Sequence, residues 1–347
     1  MRLKTTIAAA ALLAAGAAGG AAAQQVNETR ATAPTGTVEV HTAAGRVRVV
    51  GWSRNQVQVT GTLGSSAERL EVENDGGSVV VRVVVPGQHR VRVRARDGKV
   101  QAEGRAHAYS GRGADLEVRV PVRKDVEVSA ASADVEVQGI DGTTEAHTAS
   151  GSIRVSGGRA RQISVNSSSG EVDVTADADR VEAVSMSGGV RIAGTVRDRV
   201  EANSVSGAVN VTAAAGEVEA GSVSGTVTVA SMRGRAEVHS VSGEVRVTGR
   251  NLSGEFQTVS GSIILVGDLA RGADLELTTH SGSVTLALSP GASAEVQAST
   301  FSGDISSDYR GARLSRESRR EAKILVGSGD ARVAVRTFSG SVKLTGR

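Results

Sequence analysis

The sequence predicts an all-β fold: a single-stranded parallel β-solenoid (β-helix) with coils of about 18–21 residues. Three observations predict it. A Ser-Gly-x-Val-x-Val unit recurs through most of the chain, Val alternates with polar residues inside each copy, and large rings are scarce, with three Phe, two Tyr and one Trp in 347 residues.

The repeat carries most of the weight. Its glycines are Gly151, Gly170, Gly188, Gly207, Gly225, Gly243, Gly261, Gly282, Gly303 and Gly340, each preceded by Ser. The steps between them are 19, 18, 19, 18, 18 and 18 up to Gly261, then 21, 21 and 37. A coil this short has no room for a strand and a helix, and no helical periodicity is sustained in the array. In one copy Val245 and Val247 alternate with Glu244, Arg246 and Thr248, the period-two pattern of a strand with one buried and one wet face. One coil alone exposes both strand edges and cannot bury its Val residues. Stacking copies in parallel satisfies the edges and makes a continuous core. Gly is expected at the corner of each coil, where a Cβ would be resisted. Ser206, Ser224, Ser242 and Ser260 are expected to stack as a hydroxyl ladder serving the turns rather than as a ligand-binding stripe.

The segments are taken in chain order. Residues 1–23 read as a secretory signal peptide: Arg2 and Lys4 precede an apolar run from Ile7 to Ala18, and Ala21-Ala22-Ala23 stands before Gln24 as a cleavage site. Residues 24–35 read as a flexible leader. Residues 36–124 form an N-terminal β region continuous with the solenoid, in which Val91-Arg92-Val93-Arg94 alternates as a strand and 97–113 is a Gly- and charge-rich loop. Residues 125–305 are the regular array. Residues 306–347 add C-terminal coils interrupted by a basic insertion at 308–323, readable as a helical turn, a hairpin or a mobile loop. The insertion accounts for the long last step. The irregular ends are the expected caps, because an open edge recruits other chains.

Charge is uneven along the chain. Residues 82–124 hold eleven Lys/Arg against four Asp/Glu, 125–309 hold twelve against twenty-four, and 310–323 hold six against two. An acidic body disfavours nucleic acid. Within the basic insertion, Arg313, Arg316, Arg319 and Arg320 are candidates for an anionic contact, set against the plainer reading of a solvated insertion. With no Cys, stability must come from packing, and no later stretch has the length and apolarity of a transmembrane segment.

The sequence carries no zinc, phosphate-loop or nucleophile-elbow motif, so no catalytic, metal or cofactor residue is assigned. The six His are scattered, although His147, His239 and His280 all lie close to Ser-Gly corners. Carboxylates such as Glu136, Asp173, Glu219 and Glu244 fall singly on outward positions, which solubility alone explains.

The runs Gly36-Thr37-Val38-Glu39-Val40-His41-Thr42, Gly45-Arg46-Val47-Arg48-Val49 and Gly51-Trp52 introduce a family resemblance. The Ser-Gly-x-Val array, Thr300-Phe301-Ser302-Gly303-Asp304-Ile305 and Arg336-Thr337-Phe338-Ser339-Gly340-Ser341-Val342 complete it. Together they resemble the bacterial putative-adhesin family of exported β-strand-repeat proteins, a domain-of-unknown-function family. The resemblance implies an exported β-solenoid without known catalytic residues. The expectation is therefore a non-enzymatic structural or binding protein of the cell envelope, periplasmic or surface-located, monomeric, with an envelope protein or polysaccharide as partner. An accessory role in an envelope-stress or signalling system is the alternative, and a polysaccharide-active β-helix enzyme the more distant one.

Overall fold

The computed structural model describes residues 24–75, 77–86, 92–96, 99–103 and 113–346. The segment read as a signal peptide lies outside the described residues. All regular structure among them is β, and 24 strands join one sheet. The fold is a β-solenoid-like stack, in which each coil hydrogen-bonds in parallel to its copy one repeat away. Val209 lies beside Val227, Val227 beside Val245, and Val245 beside Ile263. The column runs from Leu116 through Val47, Val135, Ile153, Val172 and Val190 to Val209. It continues past Ile263 through Val284 and Val342 to Ile305. Every member is buried. At about 4.8 Å per step the column is roughly 58 Å long.

The burial pattern shows why this sequence makes the coil. In Val172–Ser185 the buried residues are Val172, Val174, Ala176, Ala178, Val181, Ala183 and Ser185. Alternation breaks once, between Ala178 and Val181, where the chain turns a corner without leaving the sheet. Small aliphatic side chains fill the narrow interior, and each fully buried Val contributes about 1.5–3 kcal/mol relative to exposure. Asp side chains tie corners of adjacent coils together. The Oδ1 of Asp134 accepts the Ser152 N–H at 2.9 Å and the Ser152 hydroxyl at 2.8 Å, and the Oδ1 of Asp125 accepts the Thr143 N–H at 2.7 Å. The first of these contacts holds the Asp134 carboxyl below the usual range.

The two ends depart from sequence order. Thr37–Trp52 is flanked on one side by Asp125–Gln138 and on the other by Ser78–Val84 and Ala114–Pro121. At the far end Ala331–Ser339 lies between Asp274–Ser281 and Ala294–Ser302. The first and last coils along the chain are thus second-from-end layers, and segments internal to the sequence close the stack. This corrects the expectation that 308–323 merely lengthens the final step. The corner of Gly340 stacks on that of Gly282, and the corner of Gly303 is outermost.

Antiparallel strands cover both ends. Gln24–Ala31 pairs with Gln56–Leu63, which pairs with Ala114–Pro121. Residues 24–31 are therefore a strand, not a flexible leader, because their backbone groups find a partner in Gln56–Leu63. Lys124 is fully buried beneath this end. Its Nζ donates to the carbonyls of Thr35 at 3.0 Å and Gly77 at 2.7 Å, and burial lowers its pKa. Arg92–Arg96 and Lys99–Glu103 form a separate two-stranded ribbon. This corrects the expected incorporation of 92–94 into the main body (residue 91 lies outside the described residues), and part of the expected loop at 97–113 is strand. The rest of that loop up to residue 112 lies outside the described residues. The basic insertion is a hairpin: Arg313–Arg316 pairs antiparallel with Glu321–Val326, which pairs with Ala294–Ser302.

Candidate functional site

The corners of the stack assemble the most distinctive surface. The motif is four residues long, hydroxyl-x-Ser-Gly, as in Ser204-Val205-Ser206-Gly207. Its first hydroxyl turns inward. The Ser204 hydroxyl donates to the Gly188 carbonyl of the neighbouring coil at 2.9 Å and accepts the Gly207 N–H at 2.9 Å. Ser185 and Ser222 repeat both bonds. Thr258, Thr279, Thr337 and Thr300 repeat the bond to the neighbouring carbonyl. The hydroxyl ladder exists, but two residues upstream of the one expected. Ser206, Ser224, Ser242 and Ser260 are exposed and join the stack through their backbone N–H groups.

The glycines sit at these corners for a reason the sequence did not specify. A Cβ on Gly207 would stand 2.2 Å from the Gly188 carbonyl oxygen, and one on Gly170 would stand 1.7 Å from that of Gly151. The same approach recurs at Gly151, Gly188, Gly225, Gly243, Gly261, Gly282, Gly303 and Gly340. Among these ten only Gly303 has a positive φ. Close backbone approach between coils, rather than an unusual dihedral, is what excludes a side chain.

The x residue points outward. In stacking order the positions are Met186, Val205, Val223, Val241, Val259, His280, Phe338 and Phe301. The apolar members are 44–57 % exposed. They form an unbroken ridge about 34 Å long at one layer per step. It ends in a ring column: His280 and Phe338 stack at 4.9 Å between centroids, Phe338 and Phe301 at 4.8 Å, and the Arg320 guanidinium lies 4.2 Å from the Phe301 centroid. The ring faces are thus turned to one another, leaving edges outward. A shallow cleft of about 460 Å³ adjoins this end, lined by Val259, His280 and Phe338 of the ridge together with His239, Gln257 and Arg336.

Four residues before the ridge, on the same strands, runs a second column. Glu39, Glu127, Glu145, Ser164, Glu182, Glu201, Glu219, Glu237, Glu255 and Glu276 occupy successive layers. Like charges at neighbouring positions of a sheet are unfavourable. Burial, followed by the carboxylates of Glu219 and Glu182, pushes the Glu201 carboxyl up, and burial with Glu39 and Glu145 does the same to Glu127. Local partners offset part of the repulsion. Arg199 pairs with Glu219, Arg336 with Glu276, and Arg235 with Glu237 at 2.6 Å.

The arginines read as an anionic contact divide between two roles. Arg316 donates to the Ile305 carbonyl at 3.0 Å and Arg320 covers Phe301, so both help build the end cap. Arg313 and Arg319 are exposed. Among the described residues no group of three or more His, Asp or Glu could hold a metal ion, and no helix is long and apolar enough to cross a membrane. Ser-Gly is the most regular element of the repeat, and the ridge is written one residue ahead of it. The signal was present in the recurring Val before Ser206, Ser224, Ser242 and Ser260.

The profile of the Toastrack DUF4097 family matches residues 23–235 and again 215–345. The chain belongs to the Toastrack family. No curated protein matches the sequence of this Toastrack chain. Among solved structures, it is similar to a putative cell adhesion protein from Clostridium sporogenes, at 8 % identity and a TM-score of 0.20, covering 93 % of this chain and 100 % of that one. It is also similar to a putative adhesin from Bacteroides fragilis, at 11 % identity and a TM-score of 0.33, covering 92 % and 97 % respectively. Superpositions this loose carry no argument about function.

Proposed function

We propose that this Toastrack protein is a non-enzymatic, exported binding protein of the bacterial cell envelope. In this reading its array is a single-chain parallel β-solenoid with coils of 18–21 residues that presents its corner ridge to a partner. The observation that carries it is the exposed ridge from Met186 to Phe301, apolar in every layer but that of His280. Soluble proteins rarely leave a contiguous apolar strip of this length open unless it meets something. Repeat folds supply such extended surfaces, because one side-chain choice is copied layer by layer. The carboxylates support the non-enzymatic reading: they run one per layer along a strand face rather than converging across a groove, as acid–base work on a glycosidic bond demands. The ring column argues against a sugar platform at that end, since the flat faces are covered by each other and by Arg320.

The test is site-specific photo-crosslinking in the native bacterium. A photoreactive residue at Val223 or Val241 is expected to give a discrete adduct in an envelope fraction. The same residue at Arg154 or Arg191, beyond the Ser-Gly corner, is expected to give none. Equal labelling from both positions, or none from the ridge, overturns the proposal.

A further inference from the structure

The ridge and the glutamate ladder lie on one side of the corner, in the same layers. Val205 shares its layer with Glu201, Val223 with Glu219, Val241 with Glu237, and Val259 with Glu255. Four residues separate the two columns, at most about 13 Å along an extended strand. Between them runs a middle column of Asn203, Gly221, His239 and Gln257, over the buried hydroxyls of Ser204, Ser222, Ser240 and Thr258. The result is a straight strip with an apolar edge and an acidic edge. Gly221 has no side chain of its own, and the Asn203 amide leans over it.

We propose that this strip, over the layers of Val205 to Val259, receives an amphipathic α-helix of a partner protein. The helix would lay an apolar seam on the valines and Lys or Arg side chains along the glutamates. The inference rests on the ridge being a binding surface and names the chemistry of its occupant.

Dimensions favour a helix over a strand. A helix with its side chains is about 10–12 Å across, close to the separation of the apolar and acidic columns. One helical turn rises about 5.4 Å against about 4.8 Å per layer, so successive turns can face successive layers. The mismatch of about 0.6 Å per layer reaches half a layer after about four turns. This matches the four-layer stretch where Val is uninterrupted. A strand laid along the axis repeats on one side every 6.6–6.8 Å or so and loses register within two layers.

Charge fixes the sign of the helix. Glu201 and Glu255 take their side-chain hydrogen bonds from amides, those of Asn203 and Gln257, while Glu219 and Glu237 hold the guanidiniums of Arg199 and Arg235. Two arginines thus serve four carboxylates, and a cationic flank relieves the repulsion between layers. A second copy of this chain is a poorer occupant. The described residues contain no helix, and two ladders brought together would repel.

The experiment uses the whole protein and a dye-labelled 15-residue helical peptide with a Leu seam and a Lys flank, read by fluorescence anisotropy at 50 and 300 mM salt. The expected result is saturable binding at low salt that weakens at least tenfold at high salt. The same peptide with Glu for Lys is expected not to bind. Val223→Ser with Val241→Ser should weaken binding at least tenfold at both salts, while Glu201→Gln with Glu255→Gln should flatten the salt dependence. All four side chains lie on the surface, and far-ultraviolet circular dichroism confirms that the variants keep their strands. Equal binding of both peptides, indifference to both double substitutions, or no binding at low salt overturns the proposal. So does a sedimentation profile in which the ridge substitutions abolish self-association instead. A ridge adduct in cells together with a silent Lys peptide rejects the cationic helix and leaves the ridge as a binding surface. Silence in both rejects both.

Discussion

Gly340 packs on Gly282: a Cβ on Gly340 would stand 2.1 Å from the Gly282 carbonyl oxygen, although 57 residues separate the two in sequence. Gly303, which follows Gly282 one repeat later, packs on Gly340 instead, with its own Cβ position 2.1 Å from the Gly340 carbonyl oxygen. The last coil is therefore inserted between two layers that precede it along the chain.

Inserting that coil couples the layers on both sides. Val335 is buried there, between Leu277 and Ala298. Val335→Asp places an unpaired carboxylate in the core, a change in the range of several kcal/mol. Amide exchange should then accelerate in 274–288 and in 294–307, which do not pair with each other, while 153–222 keeps its protection. Acceleration confined to 331–346 would contradict the insertion.

The corner glycines invite a direct comparison. Gly207→Ala drives a methyl into the backbone of the adjacent coil, and a clash that neither chain can relieve by changing rotamer should cost about 3 kcal/mol or more. Gly216→Ala is the control, because its Cβ would meet nothing nearer than 3.6 Å. Thermal melts should separate the two substitutions clearly, with Gly216→Ala close to the parent.

The inward hydroxyl makes a second stability test. Ser204→Ala removes a group that bonds the Gly188 carbonyl and the Gly207 N–H at once and leaves both without that partner. A loss of about 1–3 kcal/mol is expected. Ser206→Ala, two residues on and exposed, should stay within about 0.5 kcal/mol of the parent. Denaturant titration of both variants distinguishes the true ladder from the neighbouring serine column.

The contrast between Ser204 and Ser206 shows how far the sequence could be read. Period, parallel stacking and the buried column through Val209, Val227 and Val245 follow from local patterning, because a strand's two faces are written in alternate residues. Which serine of Ser-Val-Ser-Gly turns inward is decided by where the corner begins, and that depends on contacts with the adjacent coil. The same limit hid the end layers. Nothing local distinguishes the Ser339-Gly340 copy from its neighbours, so its insertion beneath Ser302-Gly303 is a matter of long-range pairing. The Glu ladder was visible only as single outward charges, such as Glu219, since register alone turns them into a row.

That row has a pH signature. With its pKa raised by burial and by Glu219 and Glu182, Glu201 binds its proton more tightly in the folded chain than in the unfolded one. The stability this contributes is full below the ordinary glutamate range and is lost as pH rises through the folded-state pKa. Glu201→Gln should therefore raise the melting temperature at pH 7, by on the order of 1–2 °C for a single cross-strand repulsion. The gain should vanish toward pH 4. A gain of equal size at both pH values would show that charge is not its source.

The burial of the first and last coils of the chain beneath segments internal to the sequence bears on how the molecule resists tension. In a stack laid down in simple order, a pull on either end peels one rung after another, each detaching from a single neighbour. Here the coil at 331–346 is gripped on both sides, and Thr37–Trp52 likewise, so tugging at these coils must slide a whole rung out from between two others. The hydrogen bonds are then loaded in parallel rather than one by one, so the force needed grows with the length of the rung.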